Sequence, residues 1–327
     1  MTSDRDIIGE CLRAAHSIWI VSHIAPDADT LGSALALAWS LRPLGIQGHL
    51  ACADPVPLEL RFLPGTDMIA ARPYAGEELI VAVDISDLQR IGSLYHPADF
   101  ASVPVLNIDH HITNTCFGSL NWVEENPATS EMILELLQAL HMTIGLETAT
   151  CLLAGIVGDT QCFRTSNTAP SSLSAAAKLQ TLGAPLFEIA NQVLNRRPPS
   201  ALAVWKEALT QAQTESGIVT TALSYDFLHG VLADDSSTNG LSSWLAGLEG
   251  TLVAAVLRET SSGKVDISMR STPEIDVATV AKSFGGGGHP QAAGCVIAGP
   301  LPAARARLLD LLRPLVNDLQ VHQAPAG

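Results

Sequence analysis

The chain has 327 residues, 47% of them hydrophobic and 16% charged, enough apolar material for two globular domains with their own cores. Its net charge of −15, from 18 Lys and Arg against 33 Asp and Glu, excludes a long duplex nucleic-acid partner, because neutralising many phosphates takes a basic face. A small phosphorylated substrate stays open, since bound cations can supply local positive charge.

No apolar run reaches the roughly 18 residues of a membrane span, so no membrane partner is expected. Met1–Ala15 carries early charges and lacks the apolar stretch of a signal peptide. Cys11, Cys52, Cys116, Cys151, Cys162 and Cys295 form no C-x-x-C pair. They read as reduced residues of a cytoplasmic protein rather than as a zinc–thiolate site.

In chain order, Ser17–Ser22 (SIWIVS) is a strand and Thr30–Leu41 an Ala/Leu-rich helix. Gln47–Ala51 is a weak strand, while Leu79–Val83 (LIVAV) and Val103–Ile108 (VPVLNI) are strong ones. Helices follow at Glu131–His141, Thr148–Val157 and Ser171–Leu182, the last stopped by Gly183 and Pro185. Strands alternating with helices predict an α/β domain with a mostly parallel sheet and flanking helices. Ligands of such sheets bind beyond the carboxyl ends of the strands.

A boundary falls near Asn195–Ser200 (NRRPPS), where Pro198-Pro199 cannot continue a helix. We read residues 1–194 as the first domain, 195–212 as a linker with a connecting helix, and 213–327 as the second domain. The second part has strands at Gly217–Ser224, Thr251–Arg258, Lys264–Met269 and Gly294–Ala298. Helices are predicted at Ser242–Leu248, Val277–Phe284 and Pro302–Leu319, giving a smaller α/β domain with a frayed tail at Gln320–Gly327.

Four short segments concentrate the metal-binding side chains: His23, Asp27 and Asp29; Asp84; Asp109, His110 and His111; and Asp159. Carboxylates bind hard divalent cations, and imidazole adds a preference for manganese over magnesium. Taken singly, each segment has a plain structural reading. Asp27 and Asp29 could cap a helix, and Asp29 fits the N-cap of a helix starting at Thr30. Asp84 and Asp159 could be turn residues, and His23 an ordinary hydrogen-bonded histidine. Together they place every acid at the end of an apolar element, which favours a metal site at a sheet edge.

Gly285-Gly286-Gly287-Gly288-His289 is the second informative feature. The competing readings are a flexible loop and a segment whose backbone N–H groups approach an anion. Ser268-Met269-Arg270-Ser271 puts an arginine at a strand end, either as a plain surface residue or ready for a bidentate phosphate contact.

These segments resemble the motifs of the DHH phosphoesterase family, named for the triplet standing here at 109–111. The glycine–histidine run is similar to that of its C-terminal DHH-associated domain, so the resemblance spans almost the whole chain. It implies two divalent ions, manganese first with magnesium or cobalt as alternatives. One would sit on His23, Asp27 and Asp84, the other on Asp29, Asp84, His110 and Asp159, with Asp84 as the bridge. His111 would face the phosphate, Asp109 would orient a histidine, and Asn114 would be a polar residue facing the site. Catalytic roles thus fall to His111, Asp84 and Asp109. Ser268, Arg270, Gly286, Gly287, Gly288 and His289 would bind substrate, and the active site would lie in the cleft between the domains. Gln161 departs from the pattern, where relatives commonly carry glycine.

The two-domain length resembles the nanoRNase and pAp phosphatase subfamily. That implies two-metal hydrolysis of short single-stranded RNA or nucleotide substrates, including 3′-phosphoadenosine-5′-phosphate. The resemblance also admits a homodimer. Linear or cyclic dinucleotides are the alternative substrates, and a non-catalytic nucleotide-binding protein is the alternative of another class. The Gly-rich segment argues against the related family II inorganic pyrophosphatases.

Overall fold

The computed structural model describes residues 4–323, which fall into two compact units, Met1–Arg196 and Arg197–Gly327. The first opens with α1 (Asp4–Ala14), β1 (Ser17–Val21), α2 (Ala28–Leu41), β2 (Gln47–Ala51), β3 (Leu79–Val83), α3 (Pro97–Phe100), β4 (Val105–Asp109) and β5 (Leu120–Val123). It continues with α4 (Thr129–Ala139), α5 (Leu146–Asp159), α6 (Pro170–Thr181) and α7 (Leu186–Ala190).

The five strands form one parallel sheet in the order β2-β1-β3-β4-β5. β3 and β4 are buried along their whole length, as unbroken apolar runs in a parallel sheet must be when both faces are covered. One face packs against α1, α2, α4 and α5 through Ile8, Ile20, Leu35, Val81, Ile108, Leu136 and Leu152. The other carries Trp19, Val21, Ile80, Ala82 and Val105 under the short turns around Ile85–Leu94. Gly32 lets α2 lie close against α5, since a Cβ there would come within 2.4 Å of the Cys151 carbonyl oxygen. The winding reverses between β1 and β3, and the crevice at such a reversal is where open α/β sheets hold ligands.

The second unit holds α8 (Ser200–Gln211), β6 (Gln213–Glu215), β7 (Ile218–Leu223), α9 (Tyr225–Gly230), α10 (Leu241–Ala246), β8 (Val253–Glu259) and β9 (Lys264–Ser271). It ends with α11 (Val277–Ser283), β10 (Gly287–His289), β11 (Ala292–Ala298) and α12 (Leu301–Gln323). Its mixed sheet runs β10-β11-β9-β8-β7-β6, with β7 and β8 parallel and the other neighbours antiparallel. The period of two sorts β8 between two cores: Val253, Ala255 and Leu257 face α11 and α12, while Ala254 and Val256 face α8 and α10.

Four details depart from the sequence reading. α8, expected as a connector, packs Val204 and Ala208 into the core of the second unit. The end of the glycine run, Gly287–His289, is a strand paired with β11, which the sequence reading did not include. α12 runs through Gln323 where fraying was expected, and residues 324–327 lie outside the described residues. Strand β5 (LNWV) went unread, because four residues with a central Asn carry no clear period. Among the described residues no helix is long and apolar enough to cross a membrane.

Candidate metal centre

All four acid and histidine segments meet at the carboxyl ends of β1, β3 and β4 and at the end of α5. His23 follows β1 and is buried, with its ring Nδ1 2.8 Å from the Ile24 carbonyl oxygen. A carbonyl only accepts, so Nδ1 carries a proton and Nε2 is the nitrogen turned inward, able to ligate once it gives up its own proton. His110 is fixed in the same way, with Nδ1 2.8 Å from the Asn126 carbonyl oxygen. Metal-ligating histidines are typically oriented by such a bond from the other ring nitrogen.

The N-cap of α2 is Asp27, not Asp29. Asp27 Oδ1 accepts from the backbone N–H groups of Asp29 and Thr30 at 3.0 and 3.1 Å, and its Oδ2 lies 3.6 Å from His23 Nε2. Asp29 is already inside the helix. Its two oxygens accept from the first N–H groups of α4, Thr129 at 2.6 Å and Ser130 at 2.9 Å. Gly155 makes room for this, because a Cβ there would sit 2.6 Å from Asp29 Oδ1.

Asp84 stands just past β3 in a left-handed conformation, φ 60°, uncommon for a residue with a Cβ. Its Oδ2 lies 3.4 Å from His23 Nε2, and its Oδ1 3.5 Å from His110 Nε2. Thr129 Oγ1 donates to that Oδ1 at 3.0 Å. Asp159 Oδ2, at the end of α5, is 3.2 Å from His110 Nε2, and Asp29 Oδ2 is 4.0 Å from it. One ligand atom each from His23, Asp27 and Asp84 lies within 4.8 Å of the others, and the same holds for Asp29, Asp84 and His110. The structure therefore brings five of the six residues singled out as ligands into two groups that share Asp84, with the sixth, Asp159, beside His110.

The electrostatics fit cations. Burial, then the charges of Asp159 and Asp84, hold the Asp29 carboxyl well above the usual carboxylate range. Asp159 is also raised, chiefly by burial. Burial opposes charge on His23, but Asp27 and Asp84 outweigh it and raise its pKa to about 10. His110 is raised for the same reason, with Asp159 its main partner. Mutually repelling buried acids, with imidazole Nε2 atoms turned toward them, are a donor set suited to divalent ions that displace the protons.

His111 borders both groups, with Nδ1 3.7 Å from Asp84 Oδ1. Its Nδ1 donates to Asp109 Oδ1 at 2.7 Å, and this bond outweighs burial to raise the His111 pKa and lower that of Asp109. Asp109 Oδ2 accepts from Asn114 Nδ2 at 2.6 Å. The Asn114 amide also reaches the Ile85 carbonyl and Asn107, and its oxygen accepts from the Cys116 N–H. Asn114 thus holds Asp109 and its loop in place. Thr129, Ser130 and Asn126 escaped the sequence reading because their part is played by backbone groups and one hydroxyl.

In the second unit the register lines up Ala254, Arg270, Ala292 and His289 as one row across β8, β9, β11 and β10. Val256, Ser268, Gly294 and Gly287 form the next row on the same face. Ser268, Arg270, Gly287 and His289 therefore share one face of the sheet. Ser268 Oγ lies 3.2 Å from Ser242 Oγ. Arg270 donates to the Met269 carbonyl at 2.9 Å; among the described residues no carboxylate pairs with it, and burial lowers its pKa. Gly286 and Gly288 are required by close backbone approach, since a Cβ would meet the Gly294 oxygen at 2.2 Å or the Ala292 oxygen at 2.4 Å.

The model of the DHH family N-terminal domain matches residues 17–156, and that of the DHHA1 domain matches 224–318. The bifunctional oligoribonuclease and PAP phosphatase NrnA of Thermus thermophilus is 34% identical over 94% of this chain and 93% of its own. The protein of the same name from Bacillus subtilis is 27% identical over 84% of this chain and 87% of its own. An exopolyphosphatase-related protein from Bacteroides fragilis shares the fold, with a TM-score of 0.87 and 22% identity over 96% of this chain and 97% of that one. With the triplet Asp109-His110-His111 at the heart of the site and a long relative above 30% identity, the chain belongs to the DHH family.

Proposed function

We propose that this chain hydrolyses phosphate esters of short oligoribonucleotides and of 3′-phosphoadenosine-5′-phosphate, using two divalent ions, manganese first. The observation that carries this reading is Asp84, whose two oxygens face two different histidines across one shared carboxylate. His23, Asp27 and Asp84 hold one ion; Asp29, Asp84, His110 and Asp159 hold the other. When bound, the ions supply Lewis acidity that activates water and neutralises charge on phosphate oxygens.

The chain's own residues do the rest. Asp109 pins His111 through Nδ1, so Nε2 is the atom that gives a hydrogen bond or a proton to a phosphate or leaving-group oxygen. The Asp109 carboxylate favours the protonated imidazole and so raises the His111 pKa. Arg270, with no carboxylate partner among the described residues, grips a substrate phosphate, with Ser268, His289 and the backbone of Gly286–Gly288 beside it. We place the chain in the cytoplasm and propose a homodimer, which sedimentation would test.

The test is turnover of a dinucleotide, a short RNA ladder and 3′-phosphoadenosine-5′-phosphate side by side, each with manganese, magnesium or cobalt. Hydrolysis of the RNA ladder and of the bisphosphate with manganese is the expected result. Activity confined to dinucleotides would replace the substrate assignment, and no hydrolysis with any ion would overturn the reading.

A further inference from the structure

Arg90 took no part in the sequence reading, yet its backbone is fastened to the first metal loop at several points. The Ile24 N–H donates to the Arg90 carbonyl at 2.8 Å. Asp87 caps the turn and accepts from the Arg90 N–H at 3.3 Å. Gly92 lies against Ile24, where a Cβ would come within 2.3 Å of the Ile24 Cγ2, and its φ of 67° admits few other residues. The half-buried Arg90 guanidinium acts electrostatically on both His23 and Asp27. Among the described residues no side chain hydrogen-bonds to it and no carboxylate lies within ion-pair distance of it.

Charge bookkeeping shows what such a cation is for. The ligand set carries four carboxylates, Asp27, Asp29, Asp84 and Asp159. Two divalent ions would neutralise them. The loaded cluster then has no excess positive charge to offer a phosphate. A diester brings one negative charge and a terminal phosphate close to two.

We infer that Arg90 is a substrate-binding residue of this site that holds a non-bridging oxygen of the phosphate and favours terminal phosphomonoesters over internal diesters. The inference rests on the reading of the site as a two-metal phosphoesterase. Guanidinium matches phosphate geometry with two parallel N–H donors, and a fixed backbone reduces the entropy lost on binding.

The experiment compares the manganese-loaded wild type with Arg90→Ala and Arg90→Gln. It uses 3′-phosphoadenosine-5′-phosphate as monoester, a dinucleotide as diester, and inorganic phosphate as inhibitor. Loss of Arg90 should raise the monoester KM and the phosphate inhibition constant about 10–100-fold, the diester KM by less, and leave manganese content at the wild-type level. Phosphate should also slow phenylglyoxal labelling of Arg90 in the wild type, a readout that needs no variant to fold. Unchanged KM and inhibition constants, or labelling indifferent to phosphate, would overturn the role of Arg90 while leaving the phosphoesterase reading intact. A wild type that hydrolyses neither substrate would instead overturn that reading.

Discussion

Asp84 divides its carboxylate between two histidines, with Oδ2 3.4 Å from His23 Nε2 and Oδ1 3.5 Å from His110 Nε2. The left-handed turn at Asp84 makes this possible, because it lifts the side chain off the end of β3 into the space between the two rings. Asp84→Asn puts an amide where one of the two groups needs an anion. We expect bound manganese to fall below two per chain and activity to fall by roughly 10²–10³-fold, as when one charge-stabilising group is removed. Metal analysis with turnover checks this; two ions and full activity in the variant would contradict the shared-carboxylate site.

Asp109 acts through His111. Asp109→Asn keeps a hydrogen-bond acceptor but removes the charge that raises the His111 pKa. The imidazolium should then lose its proton at lower pH, so the alkaline limb of the kcat profile moves toward neutrality. kcat should drop about 10–100-fold with metal content unchanged. A profile identical to the wild type would remove His111 as the proton-holding group.

The metal-free protein should lose stability as pH rises. His23 has a folded pKa of about 10 against an ordinary value of 6.5, so its contribution is complete below 6.5 and disappears as pH climbs through about 10. Asp29 and Asp159, also raised, cost stability once they ionise above the ordinary carboxylate range, which has the same sign. Manganese should therefore raise Tm more at pH 9 than at pH 6, since bound metal displaces protons. Thermal scans across this range, with and without manganese, settle it; a metal-free Tm that climbs with pH would refute the assignment.

Gln161, Cys162 and Phe163 all have positive φ, at 45°, 57° and 66°, directly after Asp159 and Thr160. Such a run is strained, at about 1–2 kcal/mol per residue. Gln161→Gly should stabilise the protein by about 1 kcal/mol after allowing for the greater freedom of glycine in the unfolded chain. Urea midpoints measure this. Destabilisation would mean that the Gln161 side chain contributes more than its backbone costs.

The ligands were legible because buried parallel strands advertise themselves: LIVAV ending in Asp84 leaves little doubt where β3 stops. What stayed hidden depends on direction rather than residue type. Asp27 and Asp29 both suit a helix start, and only the chain path shows that Asp27 caps α2 while Asp29 reaches across to α4. Asn114 reads equally well as a substrate contact or as the support for Asp109 that it is. Four glycines suggest close backbone approach, and two of them, Gly286 and Gly288, are needed because the chain there presses against β11. Arg90 carried no signal, since its place beside the first loop comes from Gly92 folding the segment against Ile24.

The ligand set runs from His23 to Asp159, and the second group draws on the β1–α2 turn, the ends of β3 and β4, and the last residue of α5. No short segment of the chain can close either group. Neither group can therefore form until distant parts of the chain have come together. Divalent ions held by these residues would bind only after those parts have met, and would then act on the rate at which the first unit opens rather than the rate at which it forms.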